Sequence, residues 1–228
     1  MSSDVQNPDC ESVRDTRGKD KRTHNKPLQW FFMALVSSGL QGIMIGQFAS
    51  AGIVGSSASQ LASALSQGIC INILSTAQVQ TVDAGTAGAG TGVSKVIGIN
   101  PGALTPMMIG QFASQGLIGP YSAGLARAIS TAFCTWFLAS NQTSTVHSGV
   151  GLGVGNGKVI GLSPSAMGNM IRGMMAANGL LGTYSPKIAT AVGTAIASHV
   201  LAMGVVVTPI LGPPSIAPGA GSGFGKVL

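Results

Sequence analysis

The sequence predicts a mainly α protein with short β (α+β), built as three tandem repeats of a helix-helix-strand-Gly loop-strand unit. Three observations carry that prediction. The phrase Met-Ile-Gly-Gln-Phe-Ala-Ser at 44–50 returns intact at 108–114, and Lys-Val-Ile-Gly at 95–98 returns at 158–161. Leu61, Leu65, Ile69 and Ile73 line up with Leu125, Ile129, Phe133 and Phe137, and again with Ile188, Val192, Ile196 and Val200. A spacing of four is close to the helical period and puts each set on one buried stripe. Gly52-Ile53-Val54-Gly55 matches Gly116-Leu117-Ile118-Gly119 and Gly179-Leu180-Leu181-Gly182. Self-similarity at a period of about 64 residues means that the fold is to be read as repeats before any residue is given a role.

The units run over 35–98, 99–161 and 162–228, after a charged, extended arm and lead-in at 1–34. Lys226-Val227-Leu228 matches Lys95-Val96-Ile97, so three whole units are expected. Within each unit the signals come in one order. Asn100-Pro101 and Ser163-Pro164 read as an N-cap followed by proline at the first helical position. An apolar run then ends at Gly116 or Gly179, a helix-exit signal. The second helix follows a short turn such as Gly119-Pro120-Tyr121-Ser122. Next come a short extended piece (Gln78 to Val82, Thr143 to His147, Val205 to Thr208), a glycine-rich loop and a short Lys-Val-Ile strand. A unit of this size sits near the lower limit for a separate core, whereas three packed together bury far more. The expected arrangement is pseudo-threefold or side-by-side packing of helical hairpins, with strands and Gly loops at one end.

Charge bounds the function. Only 8% of the residues are charged, against about 25% in an ordinary soluble domain. The arm 1–27 holds six cations (Arg14, Arg17, Lys19, Lys21, Arg22, Lys26) and five acids (Asp4, Asp9, Glu11, Asp15, Asp20). The rest of the chain holds six cations (Lys95, Arg127, Lys158, Arg172, Lys187, Lys226) and one acid, Asp83. Such a body has too few charges to cover its own surface, so protein or lipid must cover part of it. The arm has the mixed charge and missing apolar period of a segment that orders on a partner. Nucleic acid is not the expected partner, because no concentrated basic patch is present.

Lipid gets a weaker reading than protein. Leu28–Gly55 and Ala189–Ile210 are long enough to be weighed as spans, for which about 20 residues are needed. Their repeat counterparts fail, however. The helix matching Ala189–Ile210 carries Arg127 and Asn141-Gln142 in one copy, and Gln60, Gln67 and Asn72 in another. No secretory signal is expected either, since the first apolar run starts late and ends without a small-x-small site.

Catalytic chemistry finds little to build on. The segment Gly149–Lys158 resembles a phosphate cradle, but Leu152 stands where a Walker loop needs glycine and Val159 where it needs Ser or Thr. The glycines read instead as close backbone approach or a hairpin tip. A further reading, an adhesive module, would give these loops ligand contacts. Cys70 and Cys134 align with Ala197, which marks them as small buried core thiols. Cys10 is left over and could pair between chains, and no cysteine spacing suits a metal. His24, His147 and His199 are scattered, and Asp83 aligns with His147, so no copy holds both. A lone acid in residues 28–228 rules out paired carboxylates, and no Ser-His-Asp grouping can be argued. Met44, Met108, Met174, Met175, Phe48 and Phe112 read as packing on the first helix. The candidate contacts with partners are Arg14, Arg17, Lys19 and Arg22 in the arm, and Lys95, Lys158 and Lys226, which share one repeat position. Blocking of an exposed strand edge is an equal reading for these last three.

Ala-Gly-Thr-Gly-Val-Ser-Lys-Val-Ile-Gly at 89–98 and Gly-Val-Gly-Asn-Gly-Lys-Val-Ile-Gly at 153–161, set among Gly/Ala/Ser/Thr-rich helical units behind a charged arm, resemble virion structural proteins of tailed bacteriophages. The resemblance is one of style over most of residues 35–228. It implies a minor capsid, neck or tail component assembled in the host cytoplasm and located in the virion, with no catalysis, cofactor or small-molecule substrate. Its partners would be other coat proteins and copies of itself. The alternative is a small-residue-rich integral membrane protein, pore- or holin-like, whose helices associate through small faces.

Overall fold

A computed structural model describes residues 36–86, 88–149, 152–211 and 219–227. The elements follow one another as helix, helix, strand, strand, three times over. They are α1 (Ser37–Ser50), α2 (Ser56–Thr76), β1 (Gln78–Thr86), β2 (Gly88–Ile97), α3 (Pro101–Ser114), α4 (Ser122–Ser140), β3 (Gln142–Gly149), β4 (Leu152–Ile160), α5 (Pro164–Ala177), α6 (Ser185–Met203), β5 (Val205–Leu211) and β6 (Gly219–Val227). The protein is thus mainly α with β, as the sequence predicts. The arm, with Arg14, Arg17, Lys19, Arg22, Cys10 and His24, lies outside the described residues.

The predicted caps form. The Asn100 side chain accepts from the Ala103 N–H at 2.8 Å, and the Ser163 hydroxyl accepts from the Ala166 N–H at 3.4 Å. Each satisfies one of the amides that a helix start leaves without an internal partner. The first helices then end in the same way three times. Gly52, Gly116 and Gly179 all take φ +74°. The next N–H, of Ile53, Leu117 or Leu180, donates to the carbonyl of Phe48, Phe112 or Met175 at 2.8, 2.8 and 2.9 Å. This is a Schellman exit, and only glycine enters its left-handed position without strain.

Each helix packs on its two chain neighbours, and α1 closes the ring against α6. The predicted stripes face inward: Leu65, Ile69, Ile73, Ile129, Phe133, Phe137, Val192, Ile196 and Val200 are buried, together with Leu40, Met44, Phe48 and their counterparts on α3 and α5. They belong to one continuous core.

The strands close into a six-stranded antiparallel barrel, β1 to β6 in chain order, with β6 returning to β1. It stands at the end of the bundle where α2, α4 and α6 finish, because a single residue (Ala77, Asn141 or Gly204) joins each of these helices to its strand. The units interlock there. β2 pairs with β3, β4 with β5 and β6 with β1, while α2, α4 and α6 rest on β6, β2 and β4. No unit closes on itself. Asn141 adds a side-chain splice: its amide oxygen accepts from the Val96 N–H at 2.6 Å and its NH2 donates to the Val96 carbonyl at 3.3 Å.

One expectation is corrected. The glycine-rich segments are strands, not loops, and the extended pieces before them are longer than predicted, reaching Thr86, Gly149 and Leu211. Glycine occupies alternate positions: Gly88, Gly90 and Gly92 in β2; Gly153, Gly155 and Gly157 in β4; Gly219, Gly221, Gly223 and Gly225 in β6. Side chains alternate between the two faces of a strand. Val96 and Val159 are buried on the glycine face, whereas Lys95 and Lys158 are exposed on the other. Eight strands leave a barrel interior just wide enough for side chains, so six leave less, and glycine on alternate strands relieves the crowding. This also removes the basis for an adhesive loop and for a phosphate cradle at Gly149–Lys158.

Candidate functional site

Two ends and one internal layer hold every described candidate. At the barrel end, Lys95 pairs with Gln80, Lys158 with Ser144, and Lys226 with Val207. These are one repeat position seen three times, so the three lysine positions stand at one level around the barrel. Lys95 and Lys158 are exposed; Lys226 is placed by its backbone alone. The barrel has no free edge, so the edge-blocking reading of these lysines falls away. Asp83, opposite Gly92 and Gly221, and His147, opposite Gly90 and Gly155, belong to the same barrel.

In the internal layer, Asn72, Trp136 and His199 occupy a single repeat position, near the ends of α2, α4 and α6. All three are buried, and their polar side-chain atoms find no hydrogen-bond partner among the described residues. His199 lies against α1, where a Cβ added to Gly39 would come 3.1 Å from its Cε1. Burial holds the imidazole below its ordinary pKa, since the charged form would have to shed water. Two residues earlier, Cys70 and Cys134 are buried as predicted, and burial pushes their thiols up to about 11 and about 12. A thiol so raised is protonated at neutral pH and a poor nucleophile. Among the described residues no three His, Cys, Asp or Glu side chains come close enough to hold a metal ion.

At the end opposite the barrel, a funnel of about 620 Å³ opens between the helix-helix turns of the second and third units and the start of α2. Its walls include Leu61, Leu125 and Ile188, the first members of the three apolar stripes, with Phe112 and Met175 below. Ile118 and Leu181 stand at its rim, 82% and 80% exposed, and Val54, the matching residue of the first turn, is 77% exposed. Tyr121 and Tyr184 are exposed beside them, and the Lys187 ammonium sits 5.6 Å from the centre of the Tyr184 ring. Sequence reasoning aligned these turns but gave the rim residues no role. The signal was a turn of the form Gly-x-x-Gly filled with apolar residues three times, where polar ones are usual.

No protein-family model matches the chain, and no curated protein or solved structure matches it either.

Proposed function

We propose that the chain is a non-enzymatic structural subunit of a large protein assembly, a tailed-bacteriophage virion protein of the capsid, neck or tail. It acts by packing against other coat proteins and copies of itself. The observation that carries this reading is a flank without charge. The adjoining helices α1, α2 and α3 contain no Asp, Glu, Lys or Arg, and they expose Ile45, Ile71, Leu74 and Ile109. Ile45 and Ile109 are equivalent in the repeat, and the third copy of that position is Arg172 on α5, so the flank has an edge. Water is a poor cover for such a surface, and another protein a good one. The charge balance of residues 28–228, with one acid, supports assembly over general acid-base catalysis.

No helix among the described residues is long and apolar enough to cross a membrane. The integral pore- or holin-like alternative therefore draws no support from the helices.

Sedimentation velocity of the full chain tests the reading. Concentration-dependent association is expected, and the double variant Ile45→Lys/Ile109→Lys should shift it to monomer. A wild-type chain that stays monomeric and fails to co-sediment with virion particles overturns the proposal.

A further inference from the structure

The turn end of the bundle has a chemistry of its own, different from the flank. Val54, Ile118 and Leu181 are about four-fifths exposed, and each stands two residues after a glycine exit of the same φ. The helices leading to them, α1, α3 and α5, are each 14 residues long. The three apolar tips therefore stand at one level, a tripod at the end of the bundle that holds the apolar funnel, and that shape suits a flat surface better than a knob.

Charge narrows the choice of surface. Lys187 lies in the first turn of α6. Arg127 and Arg172 are exposed within five residues of the turn ends of α4 and α5, or about 8 Å at the rise of a helix. The Arg127 Nε donates to the Ala123 carbonyl at 3.4 Å, which draws the guanidinium toward the turns. The one acid of residues 28–228, Asp83, is in β1 at the barrel end. Two such ends brought face to face would set cation against cation, so a second copy is a poor occupant.

We infer that this end docks on an anionic lipid bilayer. Val54, Ile118 and Leu181 insert into the headgroup-acyl boundary, Tyr121 and Tyr184 lie at headgroup depth, and Lys187, Arg127 and Arg172 meet the lipid phosphates. Apolar side chains with an aromatic collar and neighbouring cations are the composition of interfacial anchors. The attraction of each cation to an anionic leaflet fades within a Debye length. This docking is peripheral and needs no spanning helix. It goes beyond the virion reading and does not depend on it, since it uses the turns and leaves the charge-free flank for protein.

Flotation of the full chain with vesicles tests it, comparing phosphatidylcholine alone with a mixture of phosphatidylcholine and phosphatidylglycerol. Binding to the mixed vesicles is expected, with loss in high salt. The triple variant Val54→Ser/Ile118→Ser/Leu181→Ser should bind at least tenfold more weakly. These side chains are exposed, so its circular-dichroism melt should match the wild type and exclude misfolding as the cause. Absence of wild-type binding to either vesicle overturns the inference. So does a triple variant that binds as well as the wild type, because attachment would then run through another part of the chain, such as the arm. A lipid-free wild-type oligomer that the triple variant dissolves would assign the tips to protein and overturn it too. Flank variants at Ile45 and Ile109 leave flotation unchanged, so failure here and failure of the assembly reading are separate results.

Discussion

The helical hairpins of the second and third units cross at equivalent positions with opposite chemistry. In the second unit the crossing pair is Thr105 and Ser130, whose hydroxyls hydrogen-bond to each other. In the third it is Gly168 and Gly193, and the two backbones touch: a Cβ added at Gly193 would lie 2.5 Å from the Gly168 nitrogen and 2.7 Å from its Cα. One crossing is held by a polar pair at side-chain distance, the other by direct packing of main chains. Both leave their second helix aimed at the barrel, so the repeat fixes where helices go and not how they are glued. A small pair suffices, because close approach and dispersion can replace a hydrogen bond worth about 1 kcal/mol.

The strongest way to break this comparison is Gly193→Ala. Its new methyl has only backbone to push against, so α5 and α6 must separate. Overpacking costs about 1–3 kcal/mol where side chains can give way, and this site should fall at the upper end or above. Chemical denaturation should report the loss as a lower midpoint with an unchanged slope. The graft Gly168→Thr/Gly193→Ser, which installs the chemistry of the second unit, should also destabilise, because it does not restore that unit's helix separation. A graft as stable as the wild type would show that the two crossings are interchangeable.

The smaller lever is Ser130→Ala. It removes the partner of the Thr105 hydroxyl in a half-buried setting, at a cost of about 1 kcal/mol. Adding Thr105→Val should recover part of that, since removing both partners leaves nothing unsatisfied. A double-mutant cycle on denaturation midpoints gives the coupling. A coupling of zero would mean that shape alone holds the second crossing as well.

Much of this was legible in advance. The stripe from Leu125 to Phe137, the caps at Asn100 and Ser163 and the exits at Gly116 and Gly179 are local signals, each readable from a few neighbouring residues. The glycine strands were not, because glycine is unfavourable in a strand unless something non-local demands it. That demand is the narrow interior of a closed barrel, visible only once β6 meets β1. Gly98 and Gly161 belong with them. Their φ values are +90° and +81°, and a Cβ there would collide with the Thr76 or Ser140 carbonyl oxygen, which explains why the Lys-Val-Ile phrase is followed by glycine both times. The exposure of Val54, Ile118 and Leu181 was hidden for a different reason. Exposure of an apolar residue in a turn depends on what the other two units leave uncovered.

The finest difference between units lies in the buried polar layer, where Asn72 and Trp136 have His199 as their third member. Only the third unit can titrate there. Its imidazole has a lowered pKa in the folded chain and returns to about 6.5 on unfolding. Above that value both states are neutral and the full stability is present. As pH falls below it the unfolded chain takes up a proton that the folded chain resists, so stability declines until the folded pKa is passed, and then levels off. Melting temperatures measured across this range should slope downward toward acid. His199→Gln should remove the part of the slope that begins near pH 6.5, while Asn72 and Trp136 variants shift the whole curve without changing its shape. If the glutamine variant keeps the same slope, the proton is taken up elsewhere and the three positions are electrostatically alike.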